Sequence, residues 1–598
     1  MSPRAQGFRR ACVGSVLLWH WRSTSRGRFG GCPVGPFWFR SRRQVRSHAY
    51  LMHMLHDFPT NNGVANLPNT PSPFVSVRVS FCSTMATAPK PVPTNVRVLV
   101  IGGGPGGSYT ASVLSREGID VLLLEADKFP RYHIGESQLA SLRHFLRFID
   151  LEKGFEEHGF TKKLGAAFKL NRFKHEGYTD FVFDDPKNYS WNTVRAESDD
   201  LMLRHAAKCG AIVMEETRVV EIEWDGARPM AATWKNAKSP QTGRVRFDYL
   251  VDASGRAGIC SVKYLKNRHY NPEFKNIAFW TYWSGCGDYK PGTPRAGSPF
   301  FEALGDQSGW AWLIPLHIGT SVGVVMRQDF SDAKRTAANA EGTDSSTYAH
   351  YMRALESAPN LMALIKDGTI IKKNDEISIQ TASDYSYHSD SYAGPHYRIV
   401  GDAGAFIDPY LSSGVHLAIS SGLSAAASIC SSIRGDCSED DAIRFHNAKV
   451  DTSYTRFVLI IRSVYEHIRS QEATTLSSAD EDNFDRAFLQ FRPVIQGNID
   501  SGTNMTEDDR RRLIEFYSRH AFEPSMPEER RDLLARFGDP VQSLNSSDDS
   551  HSKAILRSMA VRKLLSVDET NHIDNYVADA VEGFRLRLRR GDIGIEKV

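Results

Sequence analysis

A glycine-rich turn between an apolar strand and a helix constrains the fold of this chain more than any other feature. Residues 95–101 form an apolar, β-branched run that is typical of a buried parallel strand. The turn GGGPGG follows at 102–107, then helical apolar spacing over 108–117 and a second predicted strand over 119–124. Glu125 comes directly after that strand. This order predicts the start of a Rossmann-like α/β fold.

Each part of the turn has a physical role in binding a dinucleotide. Gly102 permits the tight turn, Gly104 lets the backbone approach a pyrophosphate, and Gly107 lets the helix pack close to the strand. The helix N-terminus presents free N–H groups and the positive end of its dipole to the phosphates. Glu125 lies eighteen residues beyond Gly107, where an acid can accept both ribose hydroxyls. The predicted contacts from the turn are Gly102, Gly103, Gly104, Gly106 and Gly107.

A second strand and turn further along the chain indicate FAD as the dinucleotide. Residues 397–404 form an apolar strand that ends in a turn with Asp402, and a nearly uncharged helix is predicted over 414–433. In a flavoenzyme the acid at this turn binds the ribityl chain or the pyrophosphate. A helix cap would explain Asp402 equally well. Arg195, which opens the predicted helix 195–209, could reach a phosphate, although a solvated helix arginine is the alternative.

The rest of the sequence predicts two more regions. We expect a sheet domain inserted at about 165–394 into an FAD-binding module that spans 95–437, and a helical C-terminal region over 438–598. Residues 537–553 are expected to form a loose linker. The predicted fold class is therefore α/β, with an inserted β-sheet substrate domain and C-terminal helices. The predicted strands of the sheet domain are 165–185, 211–236, 275–284, 299–304 and 310–326.

The charge is divided unevenly along the chain. Residues 1–84 contain eleven arginines, no lysine and one acid, Asp57, so they carry 11 − 1 = +10. The total is +3, so the other 514 residues carry 3 − 10 = −7. A nucleic-acid-binding body would be basic, which excludes that class. No apolar run approaches the roughly 20 residues of a membrane span, and the cysteines show no metal-binding spacing.

Three interpretations of the leader, residues 1–84, stay open. Its arginine-rich, acid-poor composition is typical of a mitochondrial transit peptide. The apolar stretch 11–19 could serve in a signal peptide, although His20 to Arg22 cut it short. The third interpretation is upstream sequence, because Met85 would make a normal start before the first strand. We expect the leader to be disordered or no part of the working protein, and the protein to be cytoplasmic, or mitochondrial if the leader is a transit peptide.

Three motifs accompany the glycine-rich turn. The first is GES at 135–137, which is followed by LGAAFKL at 164–170. The second is WAWLIP at 310–315, and the third is FIDPYLSSG at 406–414. In this order they resemble the flavin-dependent halogenases, and they are most similar to the fungal enzymes that halogenate phenolic polyketides. The resemblance extends from residue 95 to about 430.

The resemblance implies a chemistry as well as a fold. The FAD-binding domain would be of the para-hydroxybenzoate hydroxylase type, and a separate flavin reductase would supply reduced FAD. Reaction with oxygen would give a flavin hydroperoxide, which chloride or bromide attacks to form hypochlorous acid or its bromine analogue. The substrate would be an electron-rich phenol of secondary metabolism, free or tethered to a carrier.

The resemblance also implies roles for individual residues. Lys169 would be the catalytic lysine that holds electrophilic chlorine beside the ring, whereas Lys162 and Lys163 are interpreted as surface residues. Backbone N–H groups of Ser413 and Gly414 would bind the halide, since an anion needs donors without a nearby carboxylate. Contacts to the flavin, and the wall between flavin and substrate, would include Arg131, Glu136, Val415, Trp310, Trp312 and Pro315.

Other interpretations of these residues are open at this stage. The two tryptophans also fit an aromatic core strand, and Glu136 also fits a surface acid at a turn. An FAD-dependent aromatic hydroxylase would share the frame and insert oxygen instead. A non-catalytic flavoprotein or an oxidised-lipid reductase is a further alternative. Leu411 stands where tryptophan halogenases carry a glutamate, which favours a phenol over tryptophan as substrate.

Overall fold

The computed structural model describes residues 91–470, 515–566, 572–578 and 580–598, so the predicted leader lies outside the described residues. The strands are β1 Asn95–Ile101, β2 Val121–Leu124, β3 Thr161–Lys163, β4 Gly165–Lys169, β5 Gly177–Asp180, β6 Ser190–Asn192, β7 Ile212–Met214, β8 Thr217–Asp225, β9 Arg228–Asn236, β10 Thr242–Asp252, β11 Arg268–Ser284, β12 Phe300–Ala303, β13 Gly309–Leu316, β14 Gly319–Arg327, β15 Thr369–Ile370, β16 Gln380–Ser389, β17 Ala393–Gly394, β18 Tyr397–Ile399, β19 Phe584–Arg587 and β20 Gly594–Lys597. The helices are α1 Pro105–Arg116, α2 Ser141–Phe148, α3 Glu152–His158, α4 Arg195–Lys208, α5 Gln328–Ala340, α6 Thr347–Leu355, α7 Pro359–Ile365, α8 Gly414–Arg434, α9 Glu439–Arg469, α10 Pro527–Phe537, α11 Ser550–Leu564 and α12 Ile573–Ala578.

The first sheet has a parallel core in the order β18-β10-β1-β2-β7. Its strands are apolar on both faces, because both faces are covered. Helices α1, α4 and α8 pack against one face, and residues of the β8–β9 hairpin pack against the other. The carboxyl ends of β1, β2, β10 and β18 meet at one edge of this sheet. Ligands of open parallel sheets bind at such an edge.

The second sheet is mostly antiparallel and runs β15-β11-β14-β13-β12-β4-β5, with β16 paired to β11. Its two faces belong to different cores because side chains alternate along each strand. Trp310 and Trp312 of β13 share one core with Phe168 of β4 and with helix α9. Ala311 of β13 and Ala167 of β4 lie in the other core, against α6 and α7.

One predicted assignment of strands was wrong. Residues 211–236 were expected in the inserted sheet, but β7 pairs with β2, and the β8–β9 hairpin pairs with β10 in the first sheet. The strand pattern itself was right, since β7, β8 and β9 lie within that range. Alternation of apolar residues predicts a strand but carries no information on which sheet the strand joins.

Helix α8 forms the centre of the first core. Its 21 residues are long and apolar enough for a membrane span by length and composition, but 78% of the apolar window is buried inside the protein. Contacts with α1 and α9 cover it on both sides. A core helix of a folded domain accounts for this burial. Helix α9, at 31 residues, connects the first core to the aromatic face of the second sheet.

Candidate active site

The glycine-rich turn joins the carboxyl end of β1 to the N-terminus of α1. A Cβ on Gly102, where φ is +104°, would overlap the carbonyl oxygen of Ala253, and one on Gly107 would overlap that of Gly102. These two positions need glycine for the close packing that the sequence pattern predicts. A Cβ on Gly104 would meet nothing closer than the Arg131 guanidinium at 3.5 Å. The space in front of Gly104 is therefore open to a ligand.

Glu125, at the carboxyl end of β2, holds this turn in place. Its Oε2 accepts a hydrogen bond from the backbone N–H of Gly103 (2.6 Å), and its Oε1 accepts one from Asp127 (2.7 Å). Gly106 lies on the opposite side of the turn, where a Cβ would come within 3.0 Å of the carbonyl oxygen of Ala418 in α8. Glu125 thus orders the turn, and its contact with a ribose stays a prediction.

Two arginines gather beside the open space at the turn. Arg195, at the start of α4, is buried and binds Asp199 through both Nε (2.8 Å) and Nη2 (3.0 Å), and Arg131 donates to the same carboxylate at 3.0 Å. Burial alone would raise the pKa of Asp199, but the charge and hydrogen bonds of Arg195 lower it overall. The alternative of a solvated Arg195 is therefore wrong. One carboxylate shared by two arginines leaves positive charge for a phosphate.

Asp402 follows β18 at the same edge of the sheet. Its carboxylate accepts no hydrogen bond from the residues that the structure describes, so the helix-cap alternative is not observed. Burial raises its pKa to about 6, against the lowering effect of Arg195 and two further arginines. Asp252, at the end of β10, differs because it caps its own turn, accepting from the N–H groups of Ser254 and Cys260. Asp402 thus keeps oxygens available for a ligand.

Glu136 of the GES motif is buried, so its interpretation as a surface acid is wrong. Tyr282 donates a hydrogen bond to Oε1 at 2.7 Å, while Oε2 is buried without a partner in the described structure. Tyr132, half-exposed, donates to the Tyr282 hydroxyl at 3.1 Å and accepts from Trp280 Nε1 at 2.7 Å. Burial raises the pKa of Glu136 to about 7. This chain of hydroxyls connects a buried carboxyl group with the surface.

The segment before α8 forms a loop with free donors. Ser412 adopts a left-handed conformation (φ 57°). Ser413 occupies the N-cap position of α8, but its Oγ makes no capping hydrogen bond and is buried and unpartnered in the described structure. A Cβ on Gly414 would meet no atom within 4 Å. The N–H groups of Gly414 and Val415 belong to the first turn of the helix, where no intrahelical acceptor exists. The loop thus presents N–H groups and open space together.

A buried hydrogen-bond network fixes this loop to the second sheet. The Asp408 carboxylate accepts from Tyr465 (2.7 Å) and from Asn276 (3.0 Å), and it also accepts from the N–H of Tyr410. Trp310 Nε1 donates to the Tyr465 hydroxyl at 3.1 Å, so β13 and the loop share one network. The Asp408 carboxylate is thus hydrogen-bonded by two side chains of other elements and by one N–H of its own segment.

The predicted wall residues lie on β13 beside the loop. The ring of Trp310 meets that of Tyr410 at right angles, with centroids 5.0 Å apart. Trp312 donates to Ser321 Oγ at 3.1 Å, and the carbonyl oxygen of Pro315 accepts from Asn192 Nδ2 at 3.0 Å. Both tryptophans are buried, which agrees equally with a wall and with an aromatic core.

A small cavity of about 60 Å³, partly open to solvent, lies on the other side of the loop. It is mostly apolar, and the C-terminal region supplies a third of its walls. Its apolar walls suit an aromatic group. The lining residues are Leu139, Lys163, Ala166, Phe168, Thr179, Phe181, Leu411, Ser412, Phe457, Ile460, Phe522 and Arg562.

The lysine in this cavity is Lys163, so its interpretation as a surface residue is wrong. Lys163 is 1% exposed, and its Nζ lies 5.0 Å from the centre of the Phe181 ring, with no hydrogen-bond acceptor among the described residues. Burial lowers its pKa to about 7. Lys162, one position earlier on β3, points outward and pairs with Glu156 at 3.2 Å. The alternation of the strand separates the two lysines.

Lys169 lies on the face of the second sheet that turns away from the cavity. In β4, Ala166 and Phe168 line the cavity, whereas Ala167 and Lys169 point the opposite way. Lys169 is half-buried, its Nζ donates to the carbonyl oxygen of Lys174 at 2.7 Å, and its register partner is Glu302. Lys169 therefore does not line this cavity, and its catalytic role stays a prediction.

Sequence reasoning missed other residues of this region. Phe522 and Arg562 line the cavity from the C-terminal helices, and Tyr282 connects Glu136 to the surface. The period of two along Thr161–Lys163, next to the apolar residues 164–168, could have indicated that Lys163 points inward. No local pattern marks Phe522 or Arg562, because they reach the cavity through tertiary packing.

Comparisons with known proteins agree with this arrangement. A family described as "FAD binding domain" matches residues 95–269, and one described as "Tryptophan halogenase" matches residues 183–478. The flavin-dependent halogenase ascD of Acremonium egyptiacum is 47% identical over 527 residues, which cover 85% of this chain and 93% of that protein. Sulochrin halogenase gedL of Aspergillus terreus is 46% identical over 534 residues, which cover 85% and 94%.

A solved structure shows the same fold. The myxobacterial chondrochloren halogenase CndH superposes with a TM-score of 0.58 at 27% identity, covering 71% of this chain and 97% of that one. The predicted α/β fold with an FAD-binding domain, separate sheets and C-terminal helices is confirmed. Identity near one half over nearly the whole length of the curated relatives leaves no other family to consider. The chain is therefore an FAD-binding enzyme that belongs to the flavin-dependent halogenases.

Proposed function

We propose that this halogenase chlorinates an electron-rich phenol in the cavity beside the α8 loop, with Lys163 as the catalytic lysine. The observation that carries the proposal is the position of Lys163. It is a buried, unpaired lysine in an apolar cavity, and Ser412 of the loop lines the same cavity. A buried lysine with no counter-charge costs stability, so such a residue points to a function.

The residues around the turn fit FAD. Gly104 and Gly414 leave open space where a Cβ would otherwise stand, Arg131 and Arg195 supply positive charge for a pyrophosphate, and Asp402 keeps oxygens free for ribityl hydroxyls. Bound reduced FAD would supply two of the four electrons that reduce O2 to water and the oxygen of hypohalous acid, and the halide would supply the other two as it is oxidised. We propose that a separate flavin reductase delivers the reduced FAD.

The α8 loop would hold the halide. The N–H groups of Gly414 and the residues around it lie at a helix N-terminus, where the dipole favours an anion. The Ser413 side chain is buried beside them with an unpartnered oxygen. The Asp408 carboxylate, which would repel an anion, is held by hydrogen bonds from Tyr465 and Asn276, whose partial positive charges reduce its negative potential.

Lys163 would keep the oxidised halogen in the cavity. Its Nζ has no acceptor in the described structure, so it is free to donate a hydrogen bond to hypochlorous acid. As the neutral amine it could instead form an N–Cl bond as the O–Cl bond of hypochlorous acid breaks, and water would leave with the amine proton. A pKa near 7 makes both protonation states available at neutral pH. The substrate ring would then meet chlorine at Nζ, and the tryptophans of β13 would separate it from the flavin.

The cavity favours a phenol as substrate. Its walls are aromatic and aliphatic, and Leu411 offers no carboxylate to polarise an indole. A phenol needs no such help, because its hydroxyl already activates the ring toward an electrophile. The relative from Aspergillus terreus is named a sulochrin halogenase, which supports a substrate of this class.

The test is an assay with NADH, a flavin reductase, chloride or bromide and a panel of phenols, read by mass spectrometry. We expect a monohalogenated or dihalogenated product that requires halide. Lys163→Ala should abolish it while FAD still binds, and Lys169→Ala should retain it. A hydroxylated, halogen-free product would contradict halogen transfer, and an active Lys163→Ala variant would contradict the role of Lys163.

A further inference from the structure

Two histidines and a glutamate, none of them among the proposed flavin and halide residues, converge in the structure. His175 lies between β4 and β5, Glu529 lies in the first turn of α10, and His551 is the second residue of α11. Their ligand atoms all lie within 4.8 Å of one another. Three separate segments thus bring the donor set of a transition-metal site together.

The distances fit a metal better than they fit hydrogen bonds. Glu529 Oε1 lies 3.5 Å from His175 Nε2 and 3.6 Å from His551 Nε2. A good N–H···O bond is shorter, at about 2.7–3.2 Å. In a tetrahedral zinc site with bonds of about 2.0–2.2 Å, neighbouring ligand atoms lie about 3.3–3.6 Å apart. One oxygen at this distance from two imidazole nitrogens leaves room for an ion between them.

The surrounding groups orient two of the three ligands. The second oxygen of Glu529 accepts the N–H of Met526 at 2.6 Å, which directs Oε1 toward both histidines. His175 Nδ1 donates to the carbonyl oxygen of Glu176 at 2.8 Å, so the neutral ring keeps a lone pair on Nε2. This second contact of the ring is the usual partner of a metal-binding histidine.

The charges nearby also favour a cation. The mostly buried carboxylate of Glu523 lies 4.0 Å from His551 Nδ1 and accepts from Lys174 Nζ at 2.9 Å. Two carboxylates therefore face one lysine at this place. Both histidines are about half-exposed, which gives an ion access from solvent and leaves a position for water.

We propose that His175, Glu529 and His551 form a site for Zn²⁺ or a similar divalent transition metal. The ion would join the β4–β5 connection to the N-termini of α10 and α11. The ion would thereby fix the start of α10, which follows Phe522 and Glu523 in the chain. Phe522 lines the cavity, so the site would also help to position one of its lining residues. Metal binding at these three residues would not require the substrate or the catalytic lysine.

Zinc binding to the full chain, made without a histidine tag and stripped with EDTA, tests the proposal. We expect one Zn²⁺ per chain by calorimetric titration and a zinc-dependent rise in Tm, because an ion that binds only the folded state stabilises it. His551→Ala and Glu529→Gln should each weaken the affinity at least tenfold. His269→Ala is the matched control, since His269 meets one carboxylate, Asp390, at 2.9 Å.

The outcomes separate the proposal from its rivals. No binding by the wild-type chain would mean that the cluster is a set of histidine–carboxylate pairs and would overturn the inference. Binding that persists unchanged in His551→Ala and Glu529→Gln would locate the ion elsewhere and overturn it too. If His551→Ala misfolds by circular dichroism, His175→Ala decides, because that residue lies in a connection outside the helices.

Discussion

Replacing Lys163 by methionine should make the protein more stable at neutral pH while it removes halogenation. Burial in the folded state lowers the pKa of Lys163 from 10.5 to about 7. At pH 7 the ammonium of the unfolded chain is hydrated, so on folding it must either lose its proton or lose its hydration. A difference of this size costs the folded state about 4 kcal/mol at pH 7. Methionine has similar length and no charge, and it should therefore recover much of that cost.

The sign of the pH dependence follows from proton counting. Between about pH 7 and pH 10 the unfolded chain binds a proton at Lys163 that the folded chain has released, so stability rises with pH. The free energy of unfolding of the wild type should lie below that of Lys163→Met at pH 7, and this difference should shrink by about 2 kcal/mol between pH 7 and pH 9. Below pH 7 the difference should level off, because both states then hold the proton.

Urea denaturation of both proteins at pH 6, 7, 8 and 9 measures this difference, and other titrating groups cancel in the comparison. Lys162→Met is the matched control, because Lys162 is exposed and paired with Glu156. Its difference from the wild type should stay within about 0.5 kcal/mol at every pH. A constant difference between wild type and Lys163→Met would refute the argument that Lys163 is a buried amine.

Three further predictions concern the flavin side of the enzyme. Gly104→Ala should weaken FAD binding at least about tenfold in a fluorescence titration and leave the apoprotein's Tm unchanged, because the new methyl would meet no protein atom closer than 3.5 Å. Tyr282→Phe should raise the pKa of Glu136 above about 7, since the lost hydrogen bond stabilises the carboxylate; infrared titration of the carboxyl band checks this, and an unchanged midpoint would contradict it. Trp310→Phe should lower the free energy of unfolding by about 2 kcal/mol in urea, because it removes a buried hydrogen bond to Tyr465 and leaves a void.

The flavin-binding region could be predicted from the sequence because its chemistry is local. The positive φ of Gly102 and the close contact at Gly107 follow from the geometry of a strand that turns directly into a helix. Glu125 also acts within this unit, on the N–H of Gly103. Residues close in sequence are here the residues that touch.

The orientations of Lys163 and Lys169 could not be predicted in the same way, because they depend on which sheet and which face each strand joins. Lys169 stands in the more apolar run, which suggested burial, yet the cavity lies on the side of Phe168. Lys163 stands beside a second lysine, which suggested the surface, yet β3 turns it inward against Phe181. Sequence alternation relates neighbours on one strand to each other but does not say which face meets a cavity.

The absence of a lysine or arginine from residues 411–415 of the α8 loop has a consequence for the proposed chemistry. Chloride beside a lysine would be held as an ion pair in a low dielectric, and the attraction would make it harder to oxidise. The loop offers only N–H groups, whose partial charges would hold the anion less tightly than an ammonium would. In the proposed mechanism, Lys163 would then meet the halogen after oxidation has made it neutral and electrophilic. A protein that placed the lysine at the loop would bind chloride better and turn it over less, so an added lysine at Leu411 should lower the halide KM and lower kcat.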